Sequence, residues 1–101
     1  MTIEVDQISS TSVQISLFGR LDSTTSSLLE KKLKKYLPDV TELTLDFLNL
    51  TYISSMGLRV LLQAHKVMKE QNRKFVIKNC GESVREIFEI TGFINIMNLE
   101  N

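Results

Sequence analysis

Two short apolar segments on either side of a helix-like segment constrain the fold of this 101-residue chain most strongly. Residues 43–47 and 75–77 are rich in Leu, Phe, Val and Ile, which is typical of buried strands. Between them, the apolar residues of 55–68 recur at intervals of three and four, as on an amphipathic helix. Because a strand, a helix and a second strand in this order form a parallel βαβ unit with a right-handed crossover, the chain is predicted to adopt an α/β layer structure.

The segments before this unit are predicted to form a hairpin and a helix. Residues 3–6 and 13–17 alternate apolar with polar side chains, as half-exposed strands do, and the polar stretch at 9–12 is typical of a hairpin turn. The sheet is therefore predicted to start with an antiparallel pair. A helix is predicted from about Thr24 to Tyr36, because its leucines share one face and Pro38 follows its end.

The C-terminal third is predicted to add one helix and a short strand. Ser83 and Glu86 form a capping-box pattern at the start of that helix, and Gly92 is predicted to end it. Residues 94–99 follow as a candidate final strand. In total, the sequence predicts one small α/β domain over residues 1–101, with a mixed, mostly parallel sheet of about four or five strands and about three or four helices.

Composition excludes several classes of function. Twelve basic and twelve acidic residues give no net charge, so a broad electrostatic attraction to nucleic acid or to a membrane surface is not expected. No apolar run approaches the roughly 20 residues that span a bilayer, and the first residues lack the plan of a signal peptide, so the protein is expected in the cytoplasm. The lone Cys80 has no partner for an internal disulfide.

The chain also offers little for catalysis. A serine hydrolase needs a base beside its nucleophile, but the only histidine, His65, follows Ser55 by ten residues, about 15 Å along one helix. One histidine and one cysteine do not supply a zinc site, and four dispersed glycines form no phosphate-binding loop. No catalytic residue, metal ion or cofactor is therefore predicted, and the protein is expected to act by binding other proteins.

The central helix begins on two adjacent serines, Ser54 and Ser55. The first-turn N–H groups lack intrahelical partners and the helix dipole is positive there, so the position suits an anion. Either serine could instead be the N-cap, worth about 1 kcal/mol. Asp46 is predicted to meet both serines, because sites gather beyond the carboxyl ends of parallel strands. Gly57 costs a helix about 1 kcal/mol relative to alanine, which predicts the close approach of another backbone.

Three blocks, in order along nearly the whole chain, resemble the STAS domain family, and in particular the bacterial anti-sigma factor antagonists. The central block comprises Leu45-Asp46, an apolar turn at 50–53, and Ser54-Ser55-Met56-Gly57-Leu58. Before it stands Gly19-Arg20-Leu21-Asp22 with Ser23-Thr24-Thr25, and the closing block spans 83–93. The resemblance implies a STAS domain over residues 1–101.

The resemblance also implies a partner switch controlled by phosphorylation. In that family the unphosphorylated domain binds an anti-sigma factor that is a serine kinase, phosphorylation by this kinase ends the binding, and a serine phosphatase of the metal-dependent type restores it. Ser55 is then the acceptor, with Ser54 as the second choice, Asp46 beside the acceptor and Asp22 on the partner-binding face. From the residues alone, Asp46 could simply cap a turn and Asp22 the first helix. The alternative functions are a non-phosphorylated STAS scaffold in a sensory complex and a detached relative of a transporter tail.

The central helix carries apolar residues on two sides. At about 100° per residue, one side holds Leu58, Leu61, Leu62, His65 and Met68. Met56, Val60 and Val67 lie near the opposite side. Neighbouring helices could bury both sides. We predict instead that the side with Met56 and Val60 is partly exposed and forms the apolar centre of the partner interface, with Arg59 and Gln63 at its rim.

Overall fold

The computed structural model describes residues 1–100 and contains five strands and three α-helices. The strands are β1 (Thr2–Gln7), β2 (Ser12–Leu21), β3 (Glu42–Ile53), β4 (Lys74–Lys78) and β5 (Leu99–Glu100). The helices are α1 (Ser26–Tyr36), α2 (Ser55–Glu70) and α3 (Glu82–Thr91), followed by a 3₁₀ turn at Phe93–Asn95. No helix within residues 1–100 is long and apolar enough to cross a membrane.

The sheet has the strand order β1-β2-β3-β4-β5. The first pair is antiparallel and the other three pairs are parallel. Each parallel connection contains a helix, because a chain that returns to start a parallel neighbour must cross over the sheet. The predicted mixed, mostly parallel sheet and the helices packed on it are confirmed. The prediction of a final strand over residues 94–99 is wrong except at Leu99, because Phe93–Asn95 form a 3₁₀ turn and β5 comprises only Leu99–Glu100.

Alternation of apolar and polar residues assigns one face of the sheet to the core. In β2, Val13, Ile15 and Leu17 are fully buried while the residues between them are partly exposed. Helix α1 covers this face with Leu29 and Leu33. The other helices add Leu58, Leu61, Met68, Val84 and Phe88 to the same buried cluster. At about 1.5–3 kcal/mol for each fully buried large side chain, this single core supplies the main driving force for folding.

Strand β3 is longer than the sequence predicted, because two irregularities carry it past Asp46. Ser16 pairs with Asp46 but Phe18 pairs with Asn49, and Gly19 pairs with Leu50 but Arg20 pairs with Tyr52. Each shift adds one extra residue to β3, as a β-bulge does. The buried residues of β3 consequently change from every second to every third position, at 47, 50 and 53. The predicted apolar turn at 50–53 is therefore wrong, since these residues stay in the strand.

Two predicted helix starts are also corrected. Helix α1 begins at Ser26 instead of Thr24, because Thr25 and Ser26 donate backbone hydrogen bonds to the Asp22 carbonyl and so form a turn. Helix α3 begins one residue before Ser83, with Gly81 as its N-cap, and the predicted capping box does not form. The Arg85 N–H bonds to the Gly81 carbonyl and closes that first turn. The predicted end of α3 is confirmed, because Gly92 has the left-handed conformation (φ 83°) that favours glycine.

Candidate functional site

Of the two adjacent serines, Ser54 is the N-cap of α2. Its backbone is extended, and its Oγ accepts a hydrogen bond from the Gly57 N–H at 3.3 Å. Its own N–H donates to the Leu21 carbonyl at 2.8 Å, which ties the start of the helix to the end of β2. The half-buried Ser54 therefore has a structural role that uses both its side chain and its backbone.

Ser55 is the first residue of α2 and is exposed. Its hydroxyl makes no hydrogen bond within the described part of the chain, and neither its N–H nor that of Met56 has an acceptor there. First-turn N–H groups of this kind, together with the positive end of the helix dipole, favour a negative charge. The Ser55 hydroxyl is thus accessible from solvent in surroundings that suit an anion.

Gly57 brings the first turn of α2 against the ends of β2 and β3. A Cβ atom at this position would lie 2.9 Å from Ile53 Cγ1 and 2.9 Å from Leu21 Cγ. Both neighbours are buried and belong to the core. The predicted close approach is confirmed, but side chains approach Gly57 where a backbone was expected.

Asp22 follows β2 and organises the turn that leads into α1. Its Oδ1 accepts hydrogen bonds from Thr24 Oγ1 at 2.7 Å and from the backbone N–H groups of Thr24 and Thr25. The hydrogen bonds from Thr24, backed by those from Thr25, lower the pKa of Asp22 to about 2. The N-cap of α1 is Thr25, so Asp22 acts three residues before the cap. Because Ser54 bonds to Leu21, this turn lies beside the start of α2.

Sequence reasoning missed a cation–π pair at the same end of the sheet. The Arg20 guanidinium lies 4.2 Å from the centre of the Tyr52 ring, and its Nε is 3.9 Å from Asp22 Oδ2. The two residues are cross-strand partners only because of the second irregularity in β3. Extending β3 to Ile53 with two bulges would have paired Arg20 with Tyr52 from the sequence.

Asp46 lies apart from the serines. It pairs with Ser16 and Lys78 in the middle of the sheet, and its Oδ1 accepts hydrogen bonds from the Leu48 N–H and from Asn79 Nδ2 at 3.0 Å each. The end of β3 is seven residues further along, on the order of 20 Å in an extended strand. The prediction that Asp46 meets Ser54 and Ser55 is wrong, because β3 continues instead of turning.

The predicted exposed patch on α2 is only partly present. Met56 is 42 % exposed, but Val60 is only 5 % exposed. Val60 and Val67 line an apolar groove of about 390 Å³ between α1 and α2, whose other wall includes Leu33 and Leu37. Val60 is thus a core residue, and its assignment to an exposed patch is wrong because α1 packs against that side of α2.

Arg59 and Gln63 are both exposed on α2, as predicted for rim residues. The exposed surface on the first half of α2 therefore comprises Ser55, Met56, Arg59 and Gln63. Tyr52, near the C-terminal end of β3, and the turn of Asp22, which follows the C-terminal end of β2, lie next to it. Together with Arg20, which lies over the Tyr52 ring, this surface contains an aromatic ring, a thioether, two guanidinium groups and the free Ser55 hydroxyl, a composition typical of protein interfaces.

Comparison with known proteins places the chain in a family. The profile of the STAS domain matches residues 2–101. The chain belongs to the STAS domain family. The resemblance seen in the sequence is therefore confirmed over almost the whole chain.

Similar proteins include several anti-sigma factor antagonists. The chain is 26% identical over 100 residues to the anti-sigma-B factor antagonist of Bacillus subtilis, covering 98% of this chain and 92% of that one. The structure of the anti-sigma factor antagonist SpoIIAA in its unphosphorylated form superposes with a TM-score of 0.85 at 20% identity, covering 99% and 89%. The Bacillus cell fate determinant SpoIIAA in its phosphorylated form superposes with a TM-score of 0.78 at 20% identity, covering 99% and 92%. The STAS fold is thus shared with these proteins.

Proposed function

We propose that this STAS domain is an anti-sigma factor antagonist that binds an anti-sigma serine kinase and is released when that kinase phosphorylates Ser55. One observation carries the proposal: the Ser55 hydroxyl is exposed and unbonded at a helix N-terminus, whereas the adjacent Ser54 hydroxyl is engaged as the N-cap. The full-length similarity to an anti-sigma-B factor antagonist supports the choice of partner class.

The chemistry of the switch is phosphoryl transfer. The kinase transfers the γ-phosphoryl group of ATP to Ser55 Oγ, ADP leaves, and the hydroxyl proton passes to a base of the kinase. The product carries a charge of roughly −1.5 to −2 at neutral pH. On the free domain this charge sits in water at the positive end of α2, where it is tolerated. In a desolvated interface the same charge costs several kcal/mol, so binding ends while the fold persists.

The reverse step needs an accessible phosphate. Ser55 is on the first turn of α2 and its side chain projects from the surface, so a metal-dependent serine phosphatase could reach it without unfolding the helix. The proposed cycle therefore uses two partners on one surface, and it operates in the cytoplasm, where ATP and sigma factors are present.

The proposal is tested by incubating the protein with ATP and an anti-sigma serine kinase from the same organism, followed by mapping of phosphate by mass spectrometry. We expect phosphate on Ser55, no incorporation in Ser55→Ala, and normal incorporation in Ser54→Asp, a control that keeps an N-capping oxygen. Phosphate mainly on Ser54, or undiminished in Ser55→Ala, would contradict the assignment of the acceptor.

The direction of the switch is tested by calorimetry with the same kinase. We expect tight binding of the unphosphorylated domain and of Ser55→Ala, and at least about tenfold weaker binding after phosphorylation, equivalent to 1.4 kcal/mol. Ser55→Asp adds one charge at shorter reach and should weaken binding less than phosphate does. Equal affinities for both forms would favour the scaffold function instead.

A further inference from the structure

Arg59 differs from the other three arginines of the chain in its surroundings. Arg20 contacts Asp22 and the Tyr52 ring, Arg73 donates to three backbone carbonyls, and Arg85 lies 3.7 Å from Glu89. Arg59 is exposed on α2 and makes no ion pair, hydrogen bond or ring contact within residues 1–100. Its donors are therefore available to a new acceptor.

The position of Arg59 points to the acceptor. It follows Ser55 by four residues in the same helix, so their Cβ atoms are about 5–6 Å apart on one face. Side chains on a helix lean towards its N-terminus, which directs Arg59 back over Ser55. An anion four residues before a cation is also the more favourable order of the two.

Competing charges near this end of α2 are few. The first turn of α2 contains no acidic residue. Asp22, in the adjacent turn, is already bonded to Thr24 and Thr25 and lies next to Arg20, which in turn stacks on Tyr52. A dianion on Ser55 would thus meet one uncommitted guanidinium, that of Arg59, together with the unbonded N–H groups of Ser55 and Met56.

We propose that Arg59 pairs with the phosphate group on Ser55 and thereby withdraws its own positive charge from the partner-binding surface. This inference rests on the proposed function, since it requires Ser55 to be phosphorylated. The guanidinium fork matches phosphate oxygens and forms short, charge-assisted hydrogen bonds with them. Phosphorylation therefore changes the surface twice: it adds a dianion, and it engages a cation that was available to the partner in the unphosphorylated form.

The test installs phosphoserine at position 55 by genetic incorporation, so that no kinase is needed, and follows the second phosphate pKa by ³¹P NMR. We expect a value below the ordinary one of about 6. In Arg59→Gln the value should rise by about 0.3 pH unit or more, as expected for a helical pair of this spacing. The matched control is Lys69→Gln, which removes an exposed cation near the other end of α2 and should leave the phosphate pKa unchanged.

A second readout separates direct pairing from a general effect of charge. The Arg59 Nε–H signal in ¹H–¹⁵N spectra should shift and exchange more slowly in the phosphoserine protein than in the unmodified one. Arg59→Lys keeps the charge without the fork, so it should restore only part of the pKa difference. An unchanged Nε–H signal, or equal phosphate pKa values with Arg59 and Gln at this position, would overturn the pairing even if the kinase modifies Ser55. If the kinase instead modifies a residue other than Ser55, the proposed function fails, while the phosphate pKa values of the genetically installed phosphoserine still test the pairing with Arg59.

Discussion

Ser54 and Ser55 are identical in chemistry and adjacent in the chain, yet their backbone positions give them different roles. Ser54 has an extended backbone (φ −96°, ψ 174°), which turns its Oγ towards the Gly57 N–H. Ser55 is already helical, so its side chain projects outward. The difference of one residue at a helix start separates a structural hydroxyl from one that a second protein can reach.

Gly57→Ala should destabilise the domain, although alanine is the better helix former. The added Cβ would meet Ile53 and Leu21 at 2.9 Å, and both are packed in the core. The overlap should outweigh the gain in helix propensity of about 1 kcal/mol and lower the free energy of unfolding by about 1 kcal/mol or more. Urea denaturation measures the change.

The matched control for that substitution is Gly81→Ala. Gly81 precedes α3 with a negative φ, and no atom lies within 4 Å of a Cβ built on it. Because Gly81 is the N-cap of α3 and glycine is preferred to alanine there, this substitution should lower the free energy of unfolding by about 0.5 kcal/mol, less than Gly57→Ala. If Gly57→Ala is as stable as Gly81→Ala, the close packing of α2 on β2 and β3 is not a constraint.

Because of Asp22, the free energy of unfolding of the domain should fall as the pH is lowered in the acidic range. Its pKa is lowered to about 2 in the folded protein, whereas an unfolded aspartate titrates near 3.9. A lowered pKa stabilises the fold fully above the unfolded value, and this contribution disappears as pH falls through about 2. The amide side chain introduced by Asp22→Asn cannot titrate. As pH falls from about 4 to about 2 the parent protein loses the contribution of Asp22, so the difference in melting temperature between the parent and Asp22→Asn should shrink.

Asp6→Asn serves as the control for this pH series. Asp6 is exposed at the end of β1, and its carboxylate accepts no hydrogen bond within the described chain. Its melting curve should therefore follow that of the parent protein at every pH. A constant difference between Asp22→Asn and the parent down to pH 2 would show that the Thr24 and Thr25 hydrogen bonds do not favour the charged form.

At the scale of elements, the two irregularities of β3 decide what the site contains. They keep β3 hydrogen-bonded to β2 as far as Ile53 and bring Tyr52 beside Arg20. They also leave Leu48 exposed by 67 % in the first irregularity, where the regular alternation is interrupted. The strand thus delivers its last residue directly to the N-cap of α2, with no loop between the two elements.

A second inter-element connection is made by Arg73, just before β4. Its Nη1 donates to the carbonyls of Leu37, Pro38 and Val40 at 2.8, 3.2 and 3.0 Å. One side chain thereby fastens the connection after α1 to the connection after α2. These carbonyls follow a helix end, where acceptors lack intrahelical partners.

Arg73→Met should lower the free energy of unfolding by about 1.5–3 kcal/mol, because a charged donor is lost from three carbonyls. Arg73→Lys should recover part of this loss, since an ammonium group also donates several hydrogen bonds. The control Arg85→Met removes only an exposed pair within α3 and should cost no more than about 0.5 kcal/mol. Chemical denaturation of the three variants gives the ranking, and equal losses for Arg73→Met and Arg85→Met would contradict it.

At the scale of the whole molecule, the fold separates a helical side from a sheet side. The radius of gyration is 12.3 Å, close to the value of about 13 Å expected for a compact domain of this length. The four lysines of α1 are all exposed, so the outer surface of that helix is basic although the protein has no net charge. The proposed partner surface lies at the end of β2 and β3 where α2 starts, and Asp46 is separated from it by the length of half a strand.

Two lysine substitutions on α2 distinguish surface from core. Met56→Lys should change the free energy of unfolding by less than about 0.5 kcal/mol and weaken kinase binding, because Met56 is exposed beside Ser55. Val60→Lys should unfold the isolated domain, since it places a charge in the space between α1 and α2. Circular dichroism and calorimetry measure the two effects. A folded Val60→Lys protein, or unchanged affinity in Met56→Lys, would contradict this division.

Local sequence patterns were sufficient to predict the order of strands β1 to β4 and of the three helices, the parallel βαβ unit, the start of α2 at the serines and the end of α3 at Gly92. These follow from local periodicity, capping and glycine conformation, which act within a few residues. Three features depend on contacts between elements distant in the chain: the continuation of β3 through two irregularities, the separation of Asp46 from Ser55, and the burial of Val60 by α1. Strand register and helix packing depend on partners distant in sequence. The local pattern around an apolar residue on α2 is therefore the same whether a neighbouring helix buries that residue or leaves it exposed.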